Sequence, residues 1–188
     1  QAITLDGDTN MQPDLVIQKD RGNVRHTNVY DSVRGVKARI RTDATNAEYT
    51  ADGTNGFDSF DSDGFTLEAD DSSLGTNEDT EDYVAWCWKA GGSASTDDAG
   101  SIDSSTSTST TAGFSIATWT STAAAHTIGH SLGVVPAMII MKGRHESNNW
   151  QVYHHKNTAA PETDYLMLDD TAATADYTVW NDTAPTST

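Results

Sequence analysis

The chain has 188 residues, 36% of them hydrophobic, a formal net charge of −17, one cysteine and five tryptophans. The acidic balance argues against a nucleic-acid partner or an anionic membrane surface, both of which need a basic face. A single cysteine excludes an intrachain disulfide and a Cys-rich zinc site, and no apolar run approaches the roughly 20 residues of a membrane-spanning helix.

Low hydrophobicity alone would fit disorder, but five Trp and six Tyr argue for packed cores. Helical periodicity is scarce. Thr, Val and aromatic residues in short runs, broken by Gly, Asp and Asn, predict strands. No secretory leader is apparent and the first residue is Gln, as expected of a processed chain or a fragment.

Residues 1–12 are polar and turn-rich around Asp6-Gly7-Asp8. Residues 13–21, Pro-Asp-Leu-Val-Ile-Gln-Lys-Asp-Arg, form the first aliphatic strand. Seven of the eleven basic residues cluster at Lys19, Arg21, Arg25, Arg34, Lys37, Arg39 and Arg41, and Lys89 is the only one between Asp43 and Met141. The cluster could bind an anionic surface glycan, but ion pairs with acidic loops of a neighbouring subunit are the favoured reading.

Asp58, Asp61 and Asp63 precede Gly64 in a turn that could attract calcium. The twelve-residue calcium loop is absent, so a turn using Asp and Gly for backbone reasons is favoured and no metal is assigned. Residues 83–92, Tyr-Val-Ala-Trp-Cys-Trp-Lys-Ala-Gly-Gly, are the densest apolar run. Both faces are apolar at strand periodicity, which predicts a central strand with Trp86 and Trp88 well buried and Cys87 an inert buried thiol. Residues 93–112, rich in Ser, Thr, Asp and Gly, read either as a flexible linker or as an exposed strand anchored by Ile102 and Phe114; the strand is favoured.

The stretch 136–144, Pro-Ala-Met-Ile-Ile-Met-Lys-Gly-Arg, repeats 13–21 at an offset of about 123 residues. The same offset aligns Val29-Tyr30 with Val152-Tyr153. After a short insertion near Pro161, Asp43-Ala44-Thr45 aligns with Asp170-Thr171-Ala172. The period is domain-sized, so each copy should carry its own core. Residues 1–100 read as the later part of one repeat unit and 101–188 as the earlier, truncated part of the next. The second unit has no counterpart of 83–92, so its core should be less complete around Trp180. The expected fold is all-β: antiparallel β-sandwich modules in tandem, jelly-roll-like, with little or no helix.

Chemistry-bearing patterns are weak. His126 and His130 lie four apart and His154 and His155 are adjacent, but without a helix this spacing has no metal-binding meaning. Glycoside hydrolysis needs two carboxylates flanking a cleft, and no carboxylate is embedded in an apolar strand with a plausible partner. No Gly-x-Ser-x-Gly elbow is present. Catalysis and cofactors are therefore not expected. Trp119, Trp150, Tyr153 and Trp180 are candidate sugar-stacking residues, with core packing the favoured role for each.

Three groups of residues carry a family resemblance: 13–21 with Tyr30-Asp31-Ser32-Val33-Arg34-Gly35; Ser59-Phe60-Asp61-Ser62-Asp63-Gly64-Phe65-Thr66-Leu67; and 83–92. In the second copy, 113–119, 128–133 and 180–185 add to them. Together they resemble a repeated all-β domain common in predicted bacteriophage tail-fibre and other virion proteins, notably of marine phages. The resemblance implies a virion surface location, a structural role serving host attachment, other virion proteins as partners and a homotrimer, with host surface glycan as a further partner and no membrane insertion. It carries no catalytic residue. The loop residue Asn77 matches the family's usual Asn, and the acidic 78–82 that follows departs from the usual pattern.

Overall fold

In the computed structural model, residues 1–50, 56–69 and 74–188 are described. Fifteen strands form four antiparallel sheets, and no α-helix occurs among the described residues. The all-β expectation thus holds. No helix among these residues is long and apolar enough to cross a membrane.

The first unit is built on a meander of β2 (Leu15–Asp20), β3 (Asn28–Asp31), β4 (Ala38–Arg41) and β5 (Tyr49–Thr50). Strand β8 (Tyr83–Trp88) joins the outer edge of β2, giving the order β5-β4-β3-β2-β8. A second sheet, β1-β7-β6, is made from β1 (Ala2–Thr4), β6 (Phe57–Asp61) and β7 (Gly64–Leu67). Alternation places Val16 and Tyr30 on the face that meets Phe57, Phe65 and Leu67, and these five form the core, with Ile3, Val36, Phe60, Ala85 and Cys87 around them. Tyr30 stacks on Phe57 at 4.8 Å and Phe57 on Phe65 at 5.4 Å between ring centroids. The hairpin between β6 and β7 requires Gly64, whose φ is +122° and whose absent Cβ would meet the carbonyl of Ile3 on β1.

The run 83–92 departs from its expected place. β8 is the terminal strand of its sheet, not a central one, so one side of it has no neighbouring strand among the described residues. Ala85 and Cys87 take the face toward the core, so Trp86 and Trp88 lie on the opposite face, 49% and 39% exposed. Period-2 alternation reports which faces are apolar and says nothing about how many strands flank the edge.

The second unit reproduces the meander. Strands β12 (Met138–Met141), β13 (Gln151–His154), β14 (Asp164–Met167) and β15 (Ala175–Asp176) follow in the order β12-β13-β14-β15. The pairing repeats residue for residue. Val16 faces Tyr30 in the first unit and Ile139 faces Tyr153 in the second; Val29 faces Ile40, and Val152 faces Leu166; Arg39 faces Tyr49, and Tyr165 faces Ala175. Flanking hydrogen bonds match too: Ser32 N–H donates to Asp14 and His155 N–H to Ala137. The Asp43 carboxylate accepts Thr27 N–H, as the Asp169 carboxylate accepts Trp150 N–H. This equivalence makes Asp169, not Asp170, the counterpart of Asp43; two adjacent aspartates hid the one-residue error.

The second core is smaller. Its buried apolar residues are Trp150, Val152 and Tyr153. No counterpart of the β1-β7-β6 sheet follows β15 among the described residues. Trp180 closes it from a single 3-10 turn, edge-on to Tyr153 at 5.9 Å, with its indole N–H donating to Asp164 O at 3.0 Å.

Between the units lies the sheet β9-β10-β11, formed by β9 (Ser95–Asp97), β10 (Ser104–Ser109) and β11 (Phe114–Thr118). The boundary expected between 100 and 101 falls in the turn joining β9 to β10. The Ser/Thr run is a strand, as favoured, but it is not exposed: Ser104, Thr106 and Ser107 are buried. Each hydroxyl has a main-chain partner. Ser104 Oγ donates to Gly129 O, Thr106 Oγ1 to Ser95 O, Thr108 Oγ1 to His130 O and Ser107 Oγ to Gly92 O, while Gly91 N–H donates to Ser107 Oγ. Burial without such partners would cost a few kcal/mol per group, on the order of 1–3.

Candidate functional site

Two places gather functional side chains. The first is the joint between the units. Glu48, next to β5, accepts two hydrogen bonds from Arg144, at 2.9 Å from Nε and 2.7 Å from Nη2, and a third from Arg34 Nη1 at 3.1 Å. Arg34 is also paired with Asp31, and its remaining N–H groups donate to Ala38 O and Val29 O. Its side chain is 5% exposed and that of Glu48 11%. Burial pushes the Glu48 carboxyl up, but the hydrogen bonds from Arg144 and Arg34 outweigh it and hold the pKa below its ordinary value. The Glu48 bonds raise the pKa of Arg144 in turn, against the effect of its own burial.

Main-chain bonds run alongside: Glu48 N–H to Arg144 O, Asn148 N–H to Thr45 O, and the Trp150 indole N–H to Arg41 O at 2.6 Å. Charge-assisted bonds in a two-pronged geometry fix orientation as well as distance.

Other members of the basic cluster also have partners within the chain. Arg25 pairs with Glu78, Lys37 with Glu68, Lys19 donates to Arg25 O, and the Arg39 guanidinium lies 5.0 Å from the Tyr49 ring centroid. Glu78 and Glu68 of the same chain thus supply the carboxylates that meet Arg25 and Lys37.

The second place is an open groove of about 330 Å³, lined by Gln12, Ser32, Asp58, Ser59, Phe60 and Ser93 among others. It lies where the turn after β3, the first strand of the β6–β7 hairpin and the segment after β8 converge. Amide, hydroxyl and carboxylate groups around one phenyl ring match the needs of a polyhydroxylated ligand: many hydrogen bonds and one apolar contact.

The sequence candidates do not assemble into one site. Trp150 and Tyr153 are buried in the second core, so their ring faces do not reach solvent. Tyr153 meets Trp180, whereas Trp119 is partly buried just beyond β11. The aspartates of the β6–β7 turn also serve other ends. Asp61 accepts Ser59 Oγ–H at 2.8 Å and Thr66 Oγ1–H at 2.7 Å, Asp63 accepts Met11 N–H at 3.2 Å, and Asp58 alone is exposed to the groove. No group of three metal-ligating side chains occurs among the described residues. His126 is turned to Ala124 O and His130 to Thr186 O, while His154 and His155 touch edge-on. Burial raises the pKa of the Cys87 thiol.

Residues 2–188 match the family described as a domain of unknown function, DUF7483. The chain belongs to that family. No curated protein and no solved structure matches it. The Glu48 joint could not be read from the sequence, because its partners are separated by 14 and 96 positions. The only signal was Arg144 itself, which the repeat sets opposite Arg21.

Proposed function

We propose that the chain is a non-catalytic structural module of a bacteriophage virion, a tail-fibre or surface-fibre segment that serves host-cell attachment. The carrying observation is the duplicated meander, register for register, locked at the Glu48–Arg144 joint. A chain that copies one sheet and fixes the copies with a buried ion cluster is built to hold a shape. The resemblance of the 13–21, 59–67 and 83–92 motifs to phage fibre domains gives that shape a place, and a net charge of −17 keeps such a surface soluble. Attachment is assigned to the groove around Asp58 and Phe60, with a surface glycan as ligand.

A glycan array probed with the purified chain tests this. Binding to a restricted set of glycans, weakened about tenfold or more by Asp58→Ala, is the expected result. Absence of any binding would favour a decoration or scaffold module without a receptor. Release of reducing sugar from a host polysaccharide would favour a polysaccharide-degrading tailspike.

A further inference from the structure

The groove beside Asp58 and Phe60 has a charge of one sign only. Among its nine lining residues Asp58 is the sole charged one, and none is basic. Asp58 owes its position to a β-bulge. Phe57 faces Leu67 and the next pair is Ser59 with Thr66, so Asp58 is the extra residue of β6. Regular alternation would put residues 57 and 60 on opposite faces. The bulge instead brings the Phe57 and Phe60 rings together, 4.6 Å between centroids, while Phe60 also lines the groove. The Asp58 carboxylate is exposed, and no hydrogen bond or ion pair engages it among the described residues.

The basic side chains next to the lining are committed elsewhere. Arg34 pairs with Asp31 and Glu48, and Lys37 with Glu68. Lys89 donates to Gln12 O at 3.2 Å and lies 4.0 Å from the Asp14 carboxylate. Asp14 is fully buried and accepts Gly92 N–H at 3.3 Å, at the groove wall. Lys89 thus answers this second carboxylate, and Asp58 is left without a counter-charge.

We propose that the groove selects a glycan bearing a free ammonium group, a sugar whose amine is not acetylated, with Asp58 as its counter-ion. This names the ligand class of the attachment site and rests on that reading. Serine hydroxyls and the Gln12 amide serve the sugar's hydroxyl groups, and the Phe60 ring meets its C–H face. An acidic sugar would set a second carboxylate against Asp58, with no cation in the lining to relieve it. An acetamide is neutral and forgoes the Coulombic gain. The groove is open to solvent, so salt and water screen the pair and the selectivity is about fivefold. The net charge of −17 attracts cations to the whole surface, so the test separates Asp58 from that general field.

Isothermal titration calorimetry with three tetrasaccharides does so: one of glucosamine, its fully N-acetylated counterpart, and one of galacturonic acid. At low salt the glucosamine form should bind about fivefold tighter than the acetylated form, and the galacturonic acid form should bind weakest. Salt at about 0.5 M should remove most of the difference. Asp58→Asn should equalise the amine and the acetamide, and Asp58→Lys should favour galacturonic acid. Glu146→Gln removes an equal charge from an exposed position in the second unit and should keep the wild-type ranking. Circular dichroism establishes that the variants are folded. Equal affinity for amine and acetamide, or an amine preference that survives Asp58→Asn, would overturn the ammonium assignment and leave the attachment reading standing. A chain that binds none of the three yet binds other glycans on the array overturns the assignment alone. A chain that binds no glycan in either assay overturns both.

Discussion

Glu48 and Arg144 lie 96 positions apart and meet through two parallel hydrogen bonds of 2.9 and 2.7 Å. Arg34 reaches the same carboxylate from within the first unit. One side chain therefore answers to both copies of the repeat. Removing one partner of a buried ion pair leaves the other charge uncompensated, at a cost of about 3–5 kcal/mol. Arg34 keeps Asp31 and Arg144 is partly solvated, so Glu48→Ala should fall near the low end, about 3 kcal/mol, in chemical denaturation. The transition should also broaden or split, since the units lose their shared anchor.

The same carboxylate predicts an acid response. Its folded pKa lies below the ordinary 4.5, so the unfolded chain takes up its proton first as the pH falls. The stabilisation is complete above about pH 5 and drains away as the pH drops through 4.5 toward the depressed folded value. Melting temperature measured from pH 7 to pH 3 should fall less steeply in Glu48→Gln than in the wild type. Parallel curves would assign the acid sensitivity to other carboxylates.

The first core turns on Phe57, which touches Tyr30, Phe60 and Phe65. Phe57→Ala should destabilise the chain by about 3–5 kcal/mol in urea unfolding. Truncating Leu168, which is exposed, should change stability by less than about 0.5 kcal/mol in the same assay.

Gly91 tests the packing of β10. A Cβ there would lie 2.5 Å from Thr108 O and 2.9 Å from Thr108 N, both main-chain atoms that cannot swing aside. Gly91→Val should push β10 away from the segment after β8 and lower the melting temperature by several degrees. Ser107→Ala, which removes the hydroxyl shared by Gly91 N–H and Gly92 O, should cost about 1–3 kcal/mol.

Much of this architecture was legible in the chain. The Pro, Lys and Arg that bracket 13–21 and 136–144 mark strands whose registers coincide, because a slip of one residue would turn every core side chain to the other face. Local pattern did not reveal neighbours. Trp86 and Trp88 look like core residues until Ala85 and Cys87 prove to take the core face, and Ser107 looks solvated until Gly92 proves to lie against it. The groove is likewise assembled from segments as far apart as Gln12 and Ser93, none of which carries a signature alone.

The position of β8 has a kinetic consequence. The meander β12-β13-β14-β15 joins only successive strands, so its closing loops are short and cheap in entropy. β8 must instead find β2 across more than sixty intervening residues, with β3 to β7 already emerged between them. Both meanders should gain protected amides early, and the first copy's sheet should complete later, on β8's arrival. Pulse-labelled hydrogen exchange during refolding would record that order as early protection at Val152 and late protection at Trp86.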